Sequence, residues 1–304
     1  MSSLIEQAAQ RLAQLREAGI EVPQVAPVAA AQPAVAPMPA AAPAPPAPSS
    51  RRVELDLELA ARNGIVVPNA PRSQLADQFR VIKRPLLQNA NGKGVSAIAL
   101  GNLVMITSAL PGEGKTFTAL NLAMSIATEL DHTVMLVDAD VARPGVLKNL
   151  GLAEGPGLLD LIDGSVQMHE ALLRTNVDKL SILPSGTPHA RATELLASEG
   201  MHRLLADMAS RYRDRIIIFD SPPLLMTTEA RVLATLMGQV VVVVHAGRTK
   251  QSDVQAALDT IAACPVRMML LNQAYAAPEG GYGYAYGYGY GHGRGAAEPS
   301  PAAT

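Results

Sequence analysis

From about residue 51 onward, short apolar runs alternate with stretches long enough to be helices. The runs Leu103–Thr107, Thr133–Val137, Leu180–Leu183, Arg215–Phe219, Val240–Val244 and Val266–Leu271 are rich in Val, Ile and Leu, and they predict strands buried on both faces. Helices are expected after Gly114, where the pattern covers Phe117–Glu129, and after Pro156, Ala192, Glu229 and Gln251. This alternation predicts an α/β fold with a doubly wound, mostly parallel sheet, whose ligands sit at the carboxyl ends of the strands.

The flanks read differently. Residues 1–22 hold a short amphipathic helix, with a capping box of Ser3 and Glu6 and apolar Leu4, Ile5, Ala8, Leu12 and Leu15 at helical spacing. Its length is marginal for an isolated helix, so it is expected to dock on another copy or a partner. Residues 23–50 are an Ala/Pro linker whose nine prolines deny it both ladder hydrogen bonds and helix continuity. Residues 51–275 form the globular domain, and residues 276–304 a Gly/Tyr-rich tail. In the tail Tyr282, Tyr284, Tyr286, Tyr288 and Tyr290 stand at every second position, almost without other side chains. Glycine loses more freedom on folding than any other residue, and the segment brings rings without a partner surface, so a mobile display of phenols is expected. An adhesive tail or a stacking platform for single-stranded nucleic acid are its other readings.

Composition narrows the function classes. With 25 basic and 27 acidic residues the net charge is −2, which argues against a broad nucleic-acid footprint. One cysteine, Cys264, excludes an internal disulfide, the opening MSSLIEQ lacks a secretion signal, and no apolar run approaches about 18 residues. The expectation is a cytoplasmic protein that meets the inner membrane only through a partner.

The chemistry-bearing residues fall at strand ends. Ala109-Leu-Pro111-Gly112-Glu113-Gly114-Lys115-Thr116 follows the first strand and opens the helix at Phe117. Glycines there let backbone N–H groups converge on phosphate oxygens, Lys115 can reach the β/γ-phosphates and Thr116 can hold Mg²⁺. Ala109 replaces the usual first glycine of this phosphate loop, a small change in the right strand–loop–helix context. The second motif is Asp138-Ala-Asp140, followed by Arg143-Pro144, and the third is another apolar strand, which ends in the acid Asp220. Each Asp alone is readable as a helix cap. Three together beside a phosphate loop would repel one another unless a divalent ion and a nucleophile's proton engage them.

With these motifs the chain resembles the bacterial P-loop tyrosine kinases over roughly Arg72 to Tyr290. It is most similar to the soluble autokinases of exopolysaccharide and exosortase loci, in which a separate membrane-spanning, polysaccharide co-polymerase-type chain is the activator. The resemblance implies ATP and Mg²⁺ as cofactors, with residues Pro111 to Phe117, Arg143, Arg248 and Asn272 contacting ATP and with Thr116, Asp138 and Asp220 at the metal. It implies Lys115, Asp138, Asp140 and Asp220 as catalytic groups and the five tail tyrosines as phosphate acceptors. It further implies a homo-oligomeric ring built through Asp77, Arg80 and Lys83, where many relatives have Glu-x-x-Arg-x-x-Arg. Ala142 departs from the arginine common after the second Asp. Partitioning-type ATPases, acting as nucleotide-switched scaffolds without tyrosine phosphorylation, are the alternative; they carry a lysine where this chain has Leu110, and lack the tyrosine tail.

Overall fold

A computed structural model describes residues 50–68, 70–92, 98–211 and 214–274, together with Gln14 and Glu17 upstream. Gln14 and Glu17 are helical and exposed. The rest of the expected N-terminal helix, most of the linker and all five tail tyrosines lie outside the described residues.

In chain order the elements are α1 (Leu57–Arg62), α2 (Gln74–Ala90), β1 (Leu103–Ser108), α3 (Lys115–Ala127), β2 (Thr133–Asp138), α4 (Val146–Asn149), α5 (Leu158–Asp163), α6 (Met168–Ala171), β3 (Leu173–Arg174), β4 (Leu180–Leu183), α7 (Ala192–Leu196), α8 (Glu199–Arg211), β5 (Arg215–Asp220), α9 (Thr228–Thr235), β6 (Gln239–His245), α10 (Gln251–Thr260) and β7 (Arg267–Asn272). The strand order is β3-β4-β2-β5-β1-β6-β7. Every pairing is parallel except the two-residue β3, which runs antiparallel to β4 at one edge.

Alternate residues of each inner strand feed opposite cores, because side chains change face at every step along a strand. Val104, Ile106, Leu136, Ile218 and Val243 enter the layer covered by α1–α4. Their neighbours Leu103, Met105, Val137, Phe219 and Val242 enter the layer covered by α5–α10. The doubly wound parallel sheet is therefore present, and the strands end within one residue of the expected bounds.

The differences have local causes. The expected helix over Phe117–Glu129 runs instead over Lys115–Ala127, because Gly114, with φ of 96°, ends the loop and launches the helix two residues earlier. At its other end the Thr128 hydroxyl donates to the Ser125 carbonyl, 2.8 Å away. The helix expected after Ala192 is split into α7 and α8. Between them the Ser198 hydroxyl donates to the Leu195 carbonyl (2.7 Å) and accepts from the Met201 N–H (3.3 Å). The side chain thus offers the backbone an alternative to a continuous helix.

Helix α2 starts at the cap Ser73, whose hydroxyl accepts from the Ala76 N–H. Asp77 and Arg80 are exposed on it and pair with each other. Lys83 was expected to share their face; it does not. Six residues along a helix turn the side chain about 120° away, and here that direction is the core. Lys83 is 1% exposed, pairs with Glu129 at 2.7 Å and donates to the Ser125 carbonyl. Burial pushes its ammonium pKa down, opposed by Glu129. Lys83 thus fastens α2 to the end of α3 inside the subunit, which corrects its expected place among residues facing a neighbour.

Removing one partner of such a pair strands the other. Lys83→Ala should cost about 2 kcal/mol in urea denaturation, less than a fully buried pair, since Glu129 keeps Arg84 at 3.2 Å and is 20% exposed. A loss under about 0.5 kcal/mol would show the pair to be dispensable.

Candidate functional site

The phosphate loop lies between the central strand β1 and the start of α3, held in shape by its own side chains. The Ser108 hydroxyl donates to the Leu110 carbonyl (2.7 Å), and the Leu110 N–H donates to Glu113 Oε2 (2.7 Å). Glu113 is 3% exposed, and its other oxygen accepts from the Thr249 hydroxyl in the turn between β6 and α10. Asn272, the last residue of β7, donates to the Glu113 carbonyl at 2.9 Å. The loop is therefore tied to the turn that follows β6 and to the end of β7. Ala109 is fully buried among core residues, which is why the replaced glycine leaves the loop intact.

Gly112 and Gly114 adopt φ of 82° and 96°, a left-handed conformation that side chains rarely take. At Gly114 a Cβ would also sit 2.0 Å from Asn272 Nδ2. Gly114 caps α3 without a side-chain bond, leaving the first N–H groups of a 13-residue helix available to an anion. Lys115 follows at once, 9% exposed, with no hydrogen bond or ion pair to another described residue.

The acids converge on the same point. Asp138 and Asp220 are opposite each other in the β2–β5 register, and Asp220 is opposite Ile106 of β1. Neighbouring strands lie about 4.8 Å apart, so the two carboxylates come from adjacent backbone positions. Asp138 is 1% exposed; its Oδ2 accepts from the Gly145 and Val146 N–H groups (3.0 and 2.9 Å) and its Oδ1 has no partner. Asp220 is fully buried and neither oxygen meets a donor at good hydrogen-bond geometry, although the Thr116 hydroxyl lies close enough to lower its pKa. Burial raises the Asp138 pKa to about 6 and the Asp220 pKa to about 7; Asp140 adds to both shifts and Asp138 to that of Asp220, while the Val146 and Gly145 amides oppose at Asp138 and the Thr116 hydroxyl and Lys115 at Asp220. Asp140 is raised too, by burial, against the pull of Lys115, of the Arg143 N–H 3.1 Å from its Oδ1 and of the Arg143 guanidinium.

The structure thus brings together Lys115, Thr116, Asp138, Asp140, Asp220 and Arg143. It separates the two residues expected at adenine. Asn272 lines a 780 Å³ cleft with Gly114, Phe117 and residues of α2, whereas Arg248 lines a 450 Å³ cleft with Pro111, Gly112 and His245. The Glu113–Thr249 tie and the Gly145 and Val146 amides under Asp138 were missed in the sequence, which holds no local signal for contacts made only by the fold. Glu229, near enough to Asp140 to raise its pKa, was read only as a helix start.

Comparison with known proteins agrees with this geometry. The AAA domain family matches residues 101–269, more than half of the chain. Tyrosine-protein kinase YwqD of Bacillus subtilis is 30% identical over 208 residues, covering 68% of this chain and 84% of its own length. The chain belongs to the bacterial P-loop tyrosine kinase family. The solved VpsO kinase domain is 27% identical with a TM-score of 0.54, the match covering 67% of this chain and all of that one. Against the tyrosine-protein kinase ptk of Acinetobacter johnsonii, 31% identical over 184 residues and 60% of this chain, it spans only 25% of the relative's length.

Two outcomes follow. Gly114→Ala should weaken nucleotide binding at least ~100-fold, measured by calorimetry, because strain and the Asn272 clash deform the loop that presents the N–H groups. The raised carboxyls mean that the folded chain binds more protons than the unfolded one between about pH 4 and pH 7. Their contribution to stability is present at low pH and lost as pH rises through that window. At pH 8, Asp220→Asn should therefore raise the melting temperature of the nucleotide-free protein by at least ~2 °C; a fall would mean that the carboxylate is already compensated.

Proposed function

We propose that the chain is an ATP-dependent protein-tyrosine kinase that phosphorylates its own tail at Tyr282, Tyr284, Tyr286, Tyr288 and Tyr290. The observation that carries this reading is the unbonded, buried Asp138 Oδ1 and Asp220 oxygens set beside Lys115 and Thr116. Bare buried carboxylate oxygens in pairs are costly unless a cation meets them, so the residues fit a magnesium ion. Thr116, Asp138 and Asp220 would hold it, partly through water. When bound, the ion supplies charge neutralisation on the transferring phosphate.

The remaining work falls to the chain. Lys115 and the loop N–H groups bind and orient the β- and γ-phosphates. A tail phenol, with an ordinary pKa near 10, must lose its proton as its oxygen attacks the γ-phosphorus. Asp138 is pinned by two amides on the metal side, while the less buried Asp140 has an oxygen left over. Asp140 is therefore the better placed to take that proton as the bond to the leaving ADP oxygen breaks. The cleft at Asn272 and Phe117 lies at the helix start where a base would extend from the phosphates, and is assigned to adenine.

Reach supports tail phosphorylation. Ten residues from Asn272 to Tyr282 span roughly 16–19 Å as a flexible chain and at most ~35 Å extended, enough for the chain's own site or a neighbour's. In a ring joined through the exposed Asp77–Arg80 face, a neighbour's site is favoured. Each phosphate adds about −1.5 to −2 charge, which would disfavour packed tails and open the assembly. Relatives include the Succinoglycan biosynthesis transport protein ExoP of Rhizobium meliloti, so the process timed in this way is taken to be exopolysaccharide synthesis or export. No helix among the described residues is long and apolar enough to cross a membrane. In this reading the activator is a separate membrane-spanning chain, of the polysaccharide co-polymerase type, that brings this one from the cytoplasm to the inner membrane.

The test is to incubate pure protein with Mg²⁺ and labelled ATP, alone and with the activator, and to map the label. Label on Tyr282–Tyr290, abolished by Lys115→Met, is expected. Phosphate release without labelled protein, activator present, would instead favour the nucleotide-switched scaffold.

A further inference from the structure

Strand β7 closes one edge of the sheet, and two of its sides are open among the described residues. Its outer edge pairs with no other strand. Along its length exposure alternates: Met268 and Leu270 pack into the core under α2 and α3, while Arg267, Met269 and Leu271 are exposed, Leu271 on the rim of the cleft that α2 lines. Met269 is 64% and Leu271 65% exposed, among the largest apolar exposures in the described chain. Helix α10 buries only Ala257 fully. An open edge with an apolar face is a template for another strand, and nothing in β7 except Arg267 guards it.

We propose that this edge is the resting dock for the Gly281–Gly291 segment of the same chain, added antiparallel to β7. The occupant is argued from continuity and pattern. The chain leaves β7 at Asn272 and turns at Gln273, whose φ is 56°. Residues 273–280 then form the connection, and the segment that follows is longer than the six residues of β7 it must match. Its period of two is the period of a strand, so all five tyrosines would fall on one face and glycines or alanine on the other. The rings would take the face on which Met269 and Leu271 are exposed, which offers the apolar surface they otherwise lack, as cross-strand aromatic–aliphatic pairs.

A docked tail withholds its phenols from the phosphate site, so this inference, which rests on the autokinase reading for its purpose, makes tail release a step that precedes phosphorylation. The docking itself needs neither nucleotide nor activity.

Hydrogen exchange read by mass spectrometry on the full chain, without nucleotide, tests it. Amides of Gly281–Gly291 should exchange at least ~10-fold more slowly than in a free peptide of that sequence. Met269→Asp with Leu271→Asp should restore free rates while β1–β6 stay protected, which shows that the fold survives. Replacing the five tyrosines by serine, with β7 untouched, should do the same. Free exchange in the unaltered chain, or protection indifferent to both variants, would overturn the proposal. Protection that grows with protein concentration would also overturn it, by making a second copy the occupant.

Discussion

Burying like charges side by side is the constraint around which this molecule is arranged. Asp138 and Asp220 sit on adjacent strands in matched register, nearly without solvent, and Asp138 helps to raise the Asp220 pKa. Such a pair works against folding in isolation. It persists because the central residues of β2, β5 and β1 are apolar and feed two full core layers, which offset its cost. The instability is confined to the carboxyl edge of the sheet, where a cation and a phosphate can relieve it. Functional sites are commonly this kind of local exception within a stable frame.

The phosphate loop shows the complementary strategy. Its backbone is held open for an anion by Glu113, which uses both carboxylate oxygens inside the protein, and by Asn272 reaching over from β7. Rigid donors need no reorganisation when charge arrives, which is where most of the catalytic advantage in phosphoryl transfer comes from. Asn272 is the last residue of β7, so the final strand braces the loop directly.

The fold was largely legible in the amino-acid order. Runs such as Ile216-Ile-Ile-Phe219 can only be strands of a sheet covered on both sides, and Gly112 and Gly114 stand where φ must be positive. The loop, Lys115 and the acids were legible because chemistry demanded those residue types at strand ends. Lys83 was misplaced because a charged residue in a helical pattern reads as surface, and only the carbonyl of Ser125 and the carboxylate of Glu129 make its burial tolerable. The break between α7 and α8 was missed because Ser198 can serve a helix or interrupt it with equal ease.

Local order along the chain, then, settled which segments are strands, where the glycine loop opens a helix and which carboxylates stand at strand ends, since these depend on periodicity, glycine and charge. Three-dimensional packing alone decided that Asp138 meets Asp220 and that Glu113 braces the loop. It also decided that Arg248 and Asn272 part into separate clefts and that β7 is left with an open edge. Those are contacts between residues scores of positions apart, and strand order in space, which no local pattern encodes, fixes them.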